Sequence, residues 1–186
     1  MILTFLEWMQ GTGWSIRLLE SLYVWPLVES THVLTIPLFV GTALMMDLRL
    51  MGLTFKSVPV SAFTGRMLPW TRAGGAILVV TGLLLFYSSP VPYYYNVFFR
   101  VKVVLLILAA LNVWIFHSRI HNTVAEWDSD FVPPRAARIS GIVSLISWAL
   151  IVVTGRVIAY NWFDCDIQPQ PDWVNWAAGC VIEGQQ

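Results

Sequence analysis

Residues 22–51 read LYVWPLVESTHVLTIPLFVGTALMMDLRLM, an apolar run that nevertheless contains Glu29 and His32. A helix rises about 1.5 Å per residue, so roughly 20 apolar residues cross a bilayer, and this run is long enough. A carboxylate and an imidazole are costly to bury in such a run. We therefore expect both side chains to face a protein interior and to have partners there. The stretch predicts a membrane-spanning helix that carries a candidate functional site.

The rest of the chain repeats this apolar pattern. Of its 186 residues, 57% are hydrophobic and only 12% are charged, which is far more apolar than a soluble domain. The first span is expected at about 23–46. The further spans are expected at 72–87, 98–116 and 139–160, and the connecting loops or turns at 52–70, 88–96 and 122–138. We predict an all-α integral membrane protein, an antiparallel four-helix bundle over residues 22–160.

Two segments flank the predicted bundle. Residues 1–21 are too polar to span a membrane and are expected to form one or two amphipathic helices at its interface. Residues 161–186 form a polar tail, rich in tryptophan, that contains the two cysteines of the chain, Cys165 and Cys180. We expect these cysteines to form a disulfide if the tail lies in an oxidising compartment; two free thiols are the alternative.

The basic residues predict an orientation. Those in or beside the two segments 47–72 and 118–138 are Arg49, Lys56, Arg66, Arg72, Arg119, Arg135 and Arg138. The positive-inside rule places these segments in the cytoplasm and both termini on the periplasmic side of a bacterial inner membrane. The position of the cysteines agrees with this orientation.

The expected partners follow from charge and location. The formal net charge is zero, so nothing indicates a nucleic acid. We expect contacts with membrane lipids, and with other membrane or periplasmic subunits through the outer tail.

Depth decides which polar groups can meet. With a rise of about 1.5 Å per residue along each helix, His32 lies roughly 22 Å, Lys102 roughly 28 Å and Arg156 roughly 27 Å from the inner boundary of the membrane. Glu29 is three residues from His32 and projects from the same helix face. Glu29, His32, Lys102 and Arg156 are therefore predicted to share the outer half of the bundle.

These four side chains are candidates for a cofactor site. The histidine could hold a metal or a haem iron, and the carboxylate could orient it or take a proton. Lys102 and Arg156 could neutralise haem propionates, a quinone carbonyl or Glu29. The alternative is a buried charge network that only fixes helix packing.

A second histidine pair lies near the inner boundary. His117 and His121 are spaced i, i+4, which suits a metal ion or a second haem, although a solvated pair at the interface is the alternative. The pair lies roughly 15 to 20 Å below His32, so His32 and His117 are not expected to share one metal. The chain has no phosphate loop and no nucleophile elbow, and we assign no catalytic residue.

The run WPLVESTHVLTIPLFVGTALMMDLRLMG, followed by LPW, TGLLLF and FFRVKVVLLILAALNVWIFH, resembles an uncharacterised family of bacterial four-helix membrane proteins over residues 5–160. More distantly, the chain is similar to HemJ-type protoporphyrinogen oxidases and CopD-type copper-transport membrane domains. In the HemJ type, a first-helix histidine and a third-helix lysine accompany a b-type haem. The resemblance implies that His32 ligates haem iron, with Lys102 as second ligand or propionate partner.

Four functions remain open at this point. The first is a membrane redox subunit that binds haem b or interacts with a quinone and passes electrons between a periplasmic partner and the membrane. The others are a HemJ-like porphyrinogen oxidase, a CopD-like copper transporter, and a non-catalytic subunit of a larger membrane complex. Whether the protein is an enzyme is left undecided.

Overall fold

The computed structural model describes residues 1–180, apart from the side chains of Ile120 and His121. The helices in chain order are α1 (Ile2–Gln10), α2 (Gly13–Leu19), α3 (Val24–Leu50), α4 (Val60–Ser88), α5 (Pro90–Tyr95), α6 (Val97–Ile115), α7 (Val124–Trp127), α8 (Arg135–Val157) and α9 (Asp172–Ala178). A π-helical turn at Phe116–Ile120 and 3-10 turns at His121–Thr123 and Ile158–Tyr160 extend α6 and α8. Residues 1–180 contain no β-strand, so the all-α prediction is confirmed.

Four helices, α3, α4, α6 and α8, are long and apolar enough to cross a membrane. The shortest of these spans, with its π turn included, has 23 residues, which reaches the roughly 30 Å of a bilayer interior. We call the end of the bundle with segments 51–59 and 128–134 the basic end. The opposite end, with α1, α2, α5 and the C-terminal tail, is called the tail end. The predicted membrane-spanning four-helix bundle is confirmed.

Glycines set the closest approaches of α3 to its neighbours. A Cβ added at Gly74 of α4 would lie 3.2 Å from Cβ and 3.3 Å from Cα of Phe39. A Cβ at Gly141 of α8 would lie 3.0 Å from the carbonyl oxygen of Asp47. Small residues at such crossings let membrane helices approach until their backbones are in contact. α3 is therefore packed tightly against both α4 and α8.

α6 joins the bundle mainly through α8. The Asn112 side chain donates to the carbonyl oxygen of Ser140 at 3.0 Å, and the Ser140 hydroxyl donates back to Asn112 Oδ1 at 3.1 Å. α6 meets α4 at the tail end, where the rings of Phe86 and Phe99 stack with their centroids 5.5 Å apart. These contacts fix the depth of α6 relative to the other spans.

The second span begins earlier than the sequence predicted. Residues 60–70, expected to belong to the loop, form the first turns of α4, and Pro69 lies inside the helix. A distant segment holds this start: the Asp128 carboxylate accepts from the Ser61 backbone N–H at 2.7 Å and from the Ser61 hydroxyl at 2.6 Å. Because this cap comes from elsewhere in the chain, the local sequence does not reveal it.

Arg49 ties the two basic-end segments together. Its side chain is 1% exposed, and its guanidinium donates to the carbonyl oxygens of Val58 at 2.9 Å and Asp130 at 3.2 Å. Gly52, at a φ of +71°, turns the chain where it packs beside the Phe131 carbonyl oxygen. We call residues 51–59 and 128–134 together the loop cap.

The flanking segments dock at the tail end. The Ser15 hydroxyl of α2 donates to the Tyr87 carbonyl oxygen at 2.9 Å, which holds the N-terminal helices against the end of α4. The C-terminal tail is held by Arg100, whose guanidinium donates to the carbonyl oxygen of Ala177. The predicted disulfide between Cys165 and Cys180 is confirmed.

Candidate functional site

His32 is held in one orientation by α4. Its Nδ1 lies 2.8 Å from the hydroxyl oxygen of Thr81. That hydroxyl donates its own hydrogen to the carbonyl oxygen of Ile77, 2.7 Å away. Because a hydroxyl has only one hydrogen, Nδ1 of the neutral ring is the donor to Thr81, and Nε2 keeps its lone pair. His32 therefore presents a free nitrogen that can ligate a metal or accept a hydrogen bond.

Gly82 makes room beside this ring. A Cβ at this position would lie 3.3 Å from His32 Cε1 and 3.8 Å from Nδ1. The Cε1–Nδ1 edge of the imidazole therefore faces the bare backbone of Gly82. A larger residue at position 82 would press on the ring.

Lys102 reaches the same region from α6. Its side chain lies over Gly155 of α8, where a Cβ would be 3.3 Å from Nζ and 3.7 Å from Cε. Lys102 also lies close enough to His32 for its positive charge to act on the imidazole ring. The side chain is half-buried, and among the described residues its Nζ donates no hydrogen bond and forms no ion pair.

All four spans thus contribute to one region of the bundle. We call His32, Thr81, Gly82, Lys102 and Gly155 together the His32–Lys102 site. The free Nε2 is a Lewis base, and the ammonium donates to anionic or carbonyl oxygens. The site therefore suits a ligand with a metal or an acidic hydrogen at one point and an oxygen acceptor at another.

The other two candidates of the predicted site lie on exposed positions. Glu29 is close enough to Tyr93 for its charge to act there: burial first, and the Glu29 charge second, raise the pKa of the Tyr93 hydroxyl. Arg156 donates to the Tyr160 hydroxyl at 2.9 Å and lies over its ring. The structure therefore brings His32 and Lys102 together and directs Glu29 and Arg156 to tyrosines. Their roles toward a cofactor stay predictions.

The histidine pair of the basic end lies in irregular helix. Nδ1 of His117 is 3.0 Å from the carbonyl oxygen of Val113. The side chain of His121 lies outside the described residues. The α-helix ends at Ile115, and the chain is π-helical over 116–120 and 3-10 helical from 121. The two histidines therefore do not have the α-helical i, i+4 geometry that was predicted from the sequence. No three His, Cys, Asp or Glu side chains in the described part of the chain could hold a metal ion together, and a metal at His117 and His121 stays a prediction.

Three members of the site were missed by sequence reasoning. Gly82 lies in a run rich in small residues, which gave a general signal for close helix contact. Thr81 and Gly155 gave none, because a threonine or a glycine in a span is ordinary. Thr81 could have been matched in depth to His32 only if the start of α4 had been known. From the sequence, that start was predicted at residue 72 instead of Val60.

A separate cleft lies at the tail end. It has a volume of about 410 Å³ and is formed by α1, α2 and the end of α4. Glu7, Ser15 and Glu20 contribute polar groups to its lining. The Ser15 hydroxyl is already bonded to α4, so this cleft is mainly the seam along which the N-terminal helices dock.

Comparison with known proteins adds a family but no activity. Neither a curated protein nor a solved structure matches the chain. A family model matches residues 5–161, which covers the N-terminal helices and all four spans and ends where the C-terminal tail begins. This agrees with the predicted membership of an uncharacterised family of four-helix membrane proteins. The chain belongs to the family described as a family of unknown function, DUF6644.

Proposed function

We propose that the protein is a membrane redox subunit that binds a b-type haem, or else a quinone, at the His32–Lys102 site. In this role it passes electrons between a partner at the tail end and the membrane. One observation carries the proposal: the Nδ1–H of His32 is committed to Thr81, so Nε2 is free, and the unpaired Lys102 lies close enough for its charge to act on the ring. The distant resemblance to HemJ-type proteins supports the same pair of residues.

The donor set fits a b-type haem. Haem iron is commonly held by one histidine nitrogen, and a ligating histidine usually donates its other N–H to a protein acceptor, as His32 does to Thr81. A nearby cation stabilises the anionic propionates, and Lys102 is available for that role. A haem bound there would supply a group that takes up and gives back one electron.

The residues of the chain have separate tasks in this proposal. Thr81 fixes the tautomer and the rotation of the His32 ring, so that Nε2 points in one direction. Gly82 leaves room for the Cε1–Nδ1 edge of the ring, so that the ring keeps this position. Lys102 holds the anionic edge of the ligand, and Gly155 provides the surface on which the lysine side chain lies.

A quinone is the second candidate, supported by the same free atoms. The Lys102 ammonium can donate to a quinone carbonyl oxygen, and Nε2 of His32 can accept from the hydroxyl of the reduced quinol. In this case Lys102 is the main anchor of the oxidised ligand, whereas in the haem case His32 is.

An orientation with the tail end outside a bacterial inner membrane completes the proposal. It is supported by the excess of basic residues at the basic end and by the Cys165–Cys180 disulfide in the tail. Trp173 and Trp176 of the tail are 62% and 86% exposed, which supports contact with a periplasmic or membrane partner.

Titration of the detergent-purified protein with haem b tests the proposal. We expect a saturable Soret shift that His32→Ala abolishes. His117→Ala serves as the matched control, because it removes a histidine from the basic end and should leave the shift intact. A wild-type protein without a saturable shift, or a His32→Ala variant that binds as well as wild type, would contradict haem binding.

The same protein titrated with a short-chain quinone tests the second candidate. We expect Lys102→Met to weaken quinone binding more than His32→Ala does, and the reverse order for haem. If neither ligand binds, the redox proposal fails.

A further inference from the structure

Asp47 is the one carboxylate that is buried within the described residues. Its side chain is 6% exposed and lies in α3, one turn before the loop cap. α8 packs directly on this turn, because a Cβ at Gly141 would lie 3.0 Å from the Asp47 carbonyl oxygen. The carboxyl is therefore largely shielded from water, one turn away from the loop cap that closes this end of the bundle.

The carboxyl of Asp47 has few partners. The hydroxyl of Ser144 on α8 interacts with it, but the Asp47 Oδ2 has no hydrogen-bond partner among the described side chains and backbone groups. Arg49 does not compensate its charge, because side chains two residues apart point to different faces of a helix. The Arg49 guanidinium is instead directed to carbonyl oxygens of the loop cap.

Among the side chains that the structure describes, the surrounding elements bring no other counterion to Asp47. The charged or titratable side chains described at the basic end are Arg49, Lys56, Arg66, Arg72, His117, Arg119, Glu126, Asp128, Asp130, Arg135 and Arg138. All of them are exposed except Arg49 and Asp128, and Asp128 is bonded to Ser61. α8 presents the hydroxyls of Ser140 and Ser144 to the interior at this level.

A carboxyl in this position is more stable with a proton than without one. An ionised carboxylate away from water and without a counterion is strongly unfavourable, whereas the neutral acid can donate from one oxygen and accept at the other. We infer that Asp47 is a proton-binding site of the bundle. It holds a proton while the loop cap is closed, and it releases that proton to water at the basic end when the cap opens, leaving a hydrated carboxylate.

This inference is independent of haem or quinone binding. His32 is separated from Asp47 by four turns of α3, and no ligand of the His32–Lys102 site is needed for Asp47 to exchange a proton. A failure of the redox proposal therefore leaves the proton site standing, and the reverse also holds.

Infrared spectroscopy of the purified protein at neutral pH tests the inference. We expect a carbonyl band of a protonated carboxyl that disappears in Asp47→Asn and persists in Glu29→Gln, which removes an exposed carboxylate of the same helix. Absence of the band from wild type, or its persistence in Asp47→Asn, would overturn the inference.

The role of the loop cap is tested by the rate at which this band shifts after transfer into D₂O. Asp128→Ala removes two hydrogen bonds that hold the cap to α4, so we expect exchange about tenfold faster than in wild type. Ser129→Ala, an exposed neighbour, is the control and should exchange as wild type does. Equal rates in Asp128→Ala and wild type would overturn the proposed route through the cap.

Discussion

Replacing Thr81 by valine is the sharpest test of how the candidate site is built. Valine keeps the shape of threonine but removes the hydroxyl oxygen that lies 2.8 Å from Nδ1 of His32. The imidazole N–H then has no acceptor, which costs about 1–3 kcal/mol for a buried donor. The ring can recover part of this only by rotating or by changing its tautomer, and either change misplaces the free Nε2.

The expected effect on binding follows from this loss. Removing the partner that orients a ligating histidine typically lowers affinity about 10- to 100-fold. We expect Thr81→Val to weaken haem binding by that factor in a spectroscopic titration while the protein still folds. In ¹⁵N NMR of labelled histidine, which needs no ligand, we expect wild-type His32 to carry its proton on Nδ1 and the variant to populate the other tautomer.

Thr71→Val is the matched control. Thr71 is buried in the same helix and donates to the Thr42 hydroxyl oxygen at 2.8 Å, away from His32. We expect it to lower stability as Thr81→Val does and to leave affinity and tautomer unchanged. An unchanged His32 tautomer in Thr81→Val, or equal losses of affinity in both variants, would refute the reasoning.

Three further predictions concern the scaffold. Gly74→Ala should lower the free energy of unfolding by about 1–3 kcal/mol, because the new methyl group meets the backbone of α3. The control is Gly65→Ala, whose methyl group meets nothing within 4 Å and should not lower stability. Equal melting temperatures of the two variants in detergent would contradict this prediction. Cys165→Ser should destabilise the tail by about 3 kcal/mol, given the 15-residue separation of the disulfide, and limited proteolysis confined to the tail should show it. The hydrogen bond from the Ser61 hydroxyl, more than any other contact, lowers the pKa of the Asp128 carboxyl below its usual 3.8. The loop cap should therefore keep its full stability above pH 3.8 and lose stability as the pH falls through the lowered pKa of the folded state. The protection of the Ser61 amide against hydrogen exchange, relative to a free peptide at the same pH, should fall in that acid range, and protection that does not change with pH would count against the cap.

The membrane fold was predictable because apolar length and basic residues are strong signals. The apolar run around His32 gave the first span, and the disulfide followed from two cysteines in one tail. The early start of α4 was not predictable, since Asp128 caps it from a segment far away in sequence. Pro69 also reads as a loop residue, although a membrane helix can include proline where neighbouring groups compensate.

The site was predictable in part. Helical rise alone placed His32 and Lys102 at similar depths, and the structure brings them together. Helical rise does not give the direction in which a side chain points. Glu29 and Arg156 were predicted to share that depth, but each lies on an exposed position near a tyrosine. The direction of each residue depends on how the helices are rotated, which tertiary packing decides.

The most direct test of the redox proposal is a reduced-minus-oxidised difference spectrum of the protein purified from its own membranes without added cofactor. We expect the absorption bands of a b-type haem in wild type and none in His32→Ala prepared in the same way. A wild-type spectrum without these bands, or bands of equal size in His32→Ala, would contradict the assignment of His32 as the ligand.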